Sequence, residues 1–216
     1  MQKTLLLSLG ILLCAIIQAQ PAAKFESEIK KFEKADSITP PAKQQVLFIG
    51  SSSFRLWNDF SQRFKGYAVI NRGFGGAELA DVTRYARRIL IPYRPSKVFI
   101  YAGENDIGHD QSAEAVFKRF LELFELLSAE LPDTRFYFIS VKPSPSRLKY
   151  KSQLEDFNKK VNAFIKERSC NWTFIDVYHP MLAEDGSPKA DIFRPDKLHM
   201  NSKGYDIWEK LIKKHM

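Results

Sequence analysis

Cysteine is almost missing from this chain, which holds only Cys14 and Cys170. Cys14 falls in an N-terminal stretch that reads as a leader, so the remainder carries one thiol and an internal disulfide is excluded. Stability must then come from a buried core. A membrane span of about 20 apolar residues is also lacking; the nearest candidate runs only from Leu5 to Ile17 and is interrupted by Ser8 and Gly10. No G-x-x-x-x-G-K-[ST] loop occurs, and "GFGG" (73 to 76) lacks the G-x-G-x-x-G spacing of a dinucleotide site, which argues against nucleotide chemistry. Repeats and low-complexity segments are absent, and histidine is scarce, with four in the chain.

The residues present suit one globular domain: 216 in all, 44% of them hydrophobic. The first twenty, "MQKTLLLSLGILLCAIIQAQ", place Lys3 before a short apolar run and the small residue Ala19 after it, the pattern of a secretory leader cleaved after Ala19. Cys14 follows "ILL" rather than a small residue, which disfavours a lipid-anchored form. The expected product is exported, to the periplasm or the medium, with no stable membrane insertion after cleavage. The net charge of +8 is spread through "KKFEK", "RYARR", "NKK" and "LIKKH" among acids, as on solvated helix faces, so nucleic acid is not an expected partner.

After the leader, Phe25, Ile29 and Phe32 recur at helical spacing until "SITPPAKQQ" breaks the pattern. Five short, nearly continuous apolar runs follow at 46–50, 67–71, 97–103, 135–141 and 172–177, as strands buried on both faces of a parallel sheet do. Amphipathic stretches separate them and "NSKGYDIWEKLIKKH" closes the chain. Alternating strands and helices predict a three-layer α/β fold. In such a sheet ligands bind beyond the carboxyl ends of the strands. There stand "GSSS", "NRGFGG", "GEND", "KPSPSR" and "DVYHP".

A serine hydroxyl needs a histidine to take its proton and a carboxylate to orient that histidine. Asp196 and His199, three apart in "DKLH", supply base and orienter from one turn. Asp176 and His179 in "DVYHP" have the same spacing, though Pro180 makes a simple turn a sufficient explanation. His109 reads as part of a loop before the next helix, with a pocket position also open, and His215 as surface. Oxyanion donors are available on the same sheet edge: a backbone N–H in "GSSS", a glycine N–H in "GFGG" and the Asn105 amide in "GEND".

The order of "FIGSSSFRLW", "NRGFGGAELADV", "YAGENDIG" and "DKLHMNSKGYDIW" resembles the four blocks of the GDSL or SGNH hydrolase family, over about residues 45 to 216. Within it the chain looks most like the bacterial branch similar to platelet-activating factor acetylhydrolase. The resemblance implies a flavodoxin-like five-stranded sheet in an α/β/α sandwich, preceded by a leader (1–19) and a leading helix with its proline-containing connection (20–44). It makes Ser52 the nucleophile and an oxyanion donor through its own N–H, with Gly76 and Asn105 as further donors and Asp196 and His199 as the acid/base pair. It implies hydrolysis of short acyl esters, acetyl foremost, of a small molecule or glycan, without metal or organic cofactor. Ser51 departs from the family's usual aspartate at that position, a change that leaves open a binding protein on the same fold. Acyl transfer to another alcohol would use the same residues. Ser53 reads as a helix cap, Leu56 and Trp57 as core, and Arg147 as either a substrate contact or part of a proline-stiffened connection. Phe54 stands where the G-x-S-x-G elbow of α/β-hydrolases requires glycine.

Overall fold

A computed structural model describes residues 24–168 and 171–216; the expected leader with Cys14, and Cys170, lie outside the described residues. Five parallel strands form one sheet: β1 (Val46–Gly50), β2 (Val69–Gly73), β3 (Lys97–Tyr101), β4 (Arg135–Ile139) and β5 (Trp172–Ile175), in the order β2-β1-β3-β4-β5. That is the flavodoxin-like order, with the topological switch at β1, between β2 and β3.

Side chains alternate between the two faces along each strand, as a pleated sheet requires. Leu47, Ile49, Val98, Ile100, Phe136 and Phe138 enter one core, beneath α1 (Glu26–Ile38), α4 (Leu79–Ile89), α6 (Ala113–Glu130) and α7 (Lys151–Arg168). Phe48, Phe99, Tyr101, Tyr137 and Ile139 enter the other, beneath α2 (Ser52–Arg55), α3 (Phe60–Arg63) and α8 (Ser202–Ile212). With both faces covered there is no polar alternation, which is why the strands read as apolar runs. On the second face the rings of Phe48, Phe99 and Tyr137 stack across three strands, with successive centroids 4.7 Å apart.

The leading helix belongs to this body. Ile29 is buried, and Phe25 and Phe32 pack against the first core. Arg88 of α4 grips Glu26 and Glu33, with contacts of 2.7 to 3.0 Å, and Arg72 of β2 reaches Asp36 at 2.5 Å.

The sheet differs from the sequence reading at its edges. The second strand runs over Val69–Gly73, two residues later than the apolar run, because Tyr67 N–H closes a turn on the Phe64 carbonyl and pairing begins only at Ala68. Tyr67 stays 44% exposed. The other late segments stop short for another reason: Ala102, Val141 and Val177 are fully buried yet lie past the ladder, so their apolarity reports burial in loops. His215 is half-buried against the Tyr137 ring, not on the open surface. Nor are all the cations solvated: Lys142 is 1% exposed.

Candidate active site

The turn that carries Ser52 is shaped by one glycine. Gly50 ends β1 at φ +149°, and a Cβ there would fall 1.9 Å from the Tyr101 carbonyl oxygen, so only glycine lets β1 and β3 run this close at their carboxyl ends. The next N–H, from Ser51, donates to that same carbonyl at 3.0 Å. Ser51 takes the N-cap position of α2, its carbonyl accepting from Phe54 and Arg55, although its side chain makes no capping bond. Ser52 is therefore the first helical residue, and its N–H has no carbonyl four residues back in the helix.

Ser53 lies inside α2 rather than capping it, and it is 3% exposed, with its carbonyl accepting from the Tyr205 hydroxyl at 2.8 Å. Trp57 is core at 2% exposure, whereas Leu56, at the C-cap of α2, is only half-buried.

His199 approaches from the segment before α8. Its Nε2 lies 3.0 Å from Ser52 Oγ and its Nδ1 2.7 Å from Asp196 Oδ2. Asp196 Oδ1 accepts the N–H groups of Leu198 and His199, both at 2.9 Å, so the turn fixes the carboxylate before the ring meets it. Partial burial works to raise the Asp196 pKa, but the bonds from the His199 ring and these two N–H groups outweigh it and hold the carboxyl at about 2. The carboxylate is thus ionised at neutral pH.

The flanking loops bring the other two residues to the same edge. Gly76, after β2, has φ +76°, the left-handed conformation that favours glycine, and its missing Cβ would meet nothing within 4 Å. Asn105 lies in α5 (Glu104–Gly108), directly after β3, and its Nδ2 donates to the Ala77 carbonyl at 3.0 Å. Because β1 lies between β2 and β3, this bond crosses over the end of the strand that carries Ser52.

Arg147 lies against the helix that carries Asn105: its Nη1 donates to the Gly108 carbonyl at 3.2 Å, at the end of α5. His109 pairs through Nδ1 with Glu78 Oε1 at 2.7 Å, while Ser112 caps α6. The second Asp–His pair copies the first in local geometry, with His179 Nδ1 2.6 Å from Asp176 Oδ2 and both following N–H groups on Oδ1. It stands three strands from β1, about 14 Å at ordinary strand spacing. It opens on a cleft of ≈ 340 Å³ beside α7 whose lining includes no serine. Among the described residues no three His, Cys, Asp or Glu side chains converge as a metal site needs.

Four charged residues escaped the sequence reading. Asp106, fully buried, accepts the Leu79 N–H at the start of α4 at 3.1 Å and pairs with Arg119 of α6 at 2.6 Å. Burial raises the Asp106 pKa, opposed by these two partners. Glu104 and Lys142 form a second buried pair at 2.5 Å. A lysine within the apolar "FISVKP" was the one visible signal.

The GDSL-like lipase/acylhydrolase family profile matches residues 36–207, and the chain belongs to that family. Its members are carboxylic ester hydrolases, as several structural neighbours also are. A GDSL-like lipase from Bacteroides thetaiotaomicron superposes with a TM-score of 0.76 at 23% identity, covering 88% of this chain and 97% of that one. A Streptococcus pneumonia protein assigned as a platelet activating factor gives 0.76 at 20% identity, covering 88% and 91%. A catalytic mutant of an acetylxylan esterase from Geobacillus stearothermophilus gives 0.65 at 14% identity, covering 80% and 94%. At such identities the likeness establishes a common fold. No curated protein matches the sequence.

Proposed function

We propose that the chain is an exported serine esterase that hydrolyses short-chain acyl esters, acetyl foremost, of a carbohydrate or lipid alcohol. One observation carries the reading: Ser52 Oγ, His199 and Asp196 form a continuous hydrogen-bonded line of 3.0 and 2.7 Å. The nearby Gly76 and Asn105 supply what acyl transfer needs beyond a nucleophile. Preference for acetyl rests on the branch resemblance and on the fold shared with an acetylxylan esterase.

In this scheme Ser52 Oγ attacks the ester carbonyl carbon as its proton passes to His199 Nε2. Asp196 accepts the Nδ1–H bond, holds that tautomer and stabilises the imidazolium. The oxyanion is met by the N–H groups of Ser52 and Gly76 and by the Asn105 amide, donors aimed where charge develops. As the tetrahedral species collapses, the bond to the alcohol oxygen breaks and His199 protonates the leaving alcohol. Water then attacks the acyl-enzyme with His199 as base, releasing the carboxylic acid and restoring the Ser52 hydroxyl. The scheme uses no metal and no organic cofactor.

Hydrolysis of p-nitrophenyl esters from acetate to octanoate tests the reading. The expected result is turnover that falls with acyl length, vanishes in Ser52→Ala and is accompanied by fluorophosphonate labelling of Ser52. A parent that shows no turnover and no labelling would overturn it. Acetylated xylo-oligosaccharide and an acetylated glycerolipid, assayed side by side, separate the two alcohol classes. Export is tested by the N-terminus of the secreted product, expected at Gln20.

A further inference from the structure

Lys142 Nζ and Glu104 Oε2 lie 2.5 Å apart with side chains only 1% and 5% exposed. The Tyr101 hydroxyl donates to the same carboxylate oxygen at 2.5 Å, and the Lys142 N–H reaches the Tyr101 oxygen at 3.4 Å. Burial, and then the neighbouring Glu104 charge, push the Tyr101 phenol well above its ordinary pKa, so it stays protonated as a donor. Such a pair is poor evidence for stabilisation, because desolvating two charges offsets most of their attraction and apolar replacements are often as stable. Its placement suggests another use.

Glu104 immediately precedes Asn105, and Lys142 is the third residue of the loop that follows β4. Farther along that loop the Ser146 N–H donates to the Lys197 carbonyl at 3.0 Å, inside the Asp196–His199 turn, and Arg147 holds Gly108 at the far end of α5. At the loop's root, both backbone groups of Val141 are paired with the Asn158 amide at 2.9 Å. The segment from Val141 to Arg147 is therefore a strut tied at one side to the helix bearing Asn105 and at the other to the turn bearing His199. Given the esterase reading, on which this inference rests, we propose that Lys142, through Glu104, is a positioning residue. It sets the separation of the Asn105 amide from the His199 ring.

The test compares the parent with Glu104→Gln/Lys142→Met, which removes both buried charges together, and with Ser146→Pro, which deletes the N–H bound to Lys197 at an exposed site and fixes φ within the Pro145–Tyr150 turn. The double variant is expected to melt near the parent. Its kcat should fall on the order of 10²-fold, the scale of a small misplacement of catalytic groups, with KM little changed. Ser146→Pro should lower kcat in the same sense. The low-field Nδ1–H proton resonance of His199, identified by its loss in Asp196→Asn, should shift in both. Parental kcat and an unchanged resonance in the folded double variant would overturn the proposal. If that variant does not fold, the same result in Ser146→Pro would overturn it. A parent with neither turnover nor fluorophosphonate labelling defeats the esterase reading instead, and the resonance still decides whether the strut positions His199.

Discussion

His199 Nε2 lies 3.0 Å from Ser52 Oγ although 147 positions separate them along the chain. The sheet makes this possible: Ser52 starts α2 at the end of β1, and the turn before α8 folds over the same edge. Ser52→Ala should lower kcat on the order of 10⁶-fold, the scale seen when a triad nucleophile is removed. Ser53→Ala should leave kcat within an order of magnitude, since that residue is buried inside α2, 3% exposed. Steady-state kinetics on p-nitrophenyl acetate checks both, and the reverse pattern would move the nucleophile.

The two Asp–His pairs make a matched control. Asp196→Asn should reduce kcat about 10⁴-fold by disturbing the imidazole tautomer, while Asp176→Asn should leave it unchanged. Equal losses would mean that the pair after β5 also takes part.

The low pKa of Asp196 has a consequence for acid stability. Its folded value is about 2 against an ordinary 3.8, so the ionised carboxylate favours the folded state above pH 3.8, and this contribution disappears as pH falls through 2. The side chain is 47% exposed, so solvent keeps the effect small. Asparagine does not ionise in this range; the melting temperature of Asp196→Asn should therefore lie below the parent's at pH 5 and approach it toward pH 2. A gap that widens with acid would contradict the assignment. Any loss of kcat/KM between pH 7 and pH 5 must come from a group other than Asp196.

Removing one oxyanion donor typically costs about 10²–10³-fold in kcat, and Asn105→Ala is expected to fall in that range. KM should change less, because the bond is strongest to the developing oxyanion. A loss confined to KM would make Asn105 a substrate-binding residue.

Gly76→Ala probes a backbone donor. The added methyl meets open space, so the cost arises from φ +76°, about 1–2 kcal/mol for an L-residue. The melting temperature should drop, and kcat should fall as the turn relaxes and re-aims its N–H. Unchanged kcat at lowered stability would remove Gly76 from the oxyanion site.

Much of this architecture is visible in the primary structure. Strands buried on both faces betray themselves as apolar runs, and the five polar or glycine-bearing segments after them mark the working edge of a parallel sheet. Strand ends are less legible, since Val141 and Val177 are as buried as any strand residue while making no ladder pair. Ser51 and Ser53 are chemically alike as helix caps in the sequence; the backbone starts α2 at Ser52, which leaves the N-cap position to Ser51 and puts Ser53 inside the helix.

The order of residues determined the chemistry on offer: a serine after the first strand, donors after the second and third, and two turns that each bind a histidine ring to an aspartate. Those turns form from bonds within four residues and are nearly identical locally, at 2.6 and 2.7 Å. Which one meets a hydroxyl was decided only by the tertiary structure, because that depends on which strand ends lie side by side. The same holds for Lys142 and Glu104. In the sequence each is an ordinary charge that belongs in water, and only the closure of β3, β4 and their loops around them removes the solvent and makes them partners.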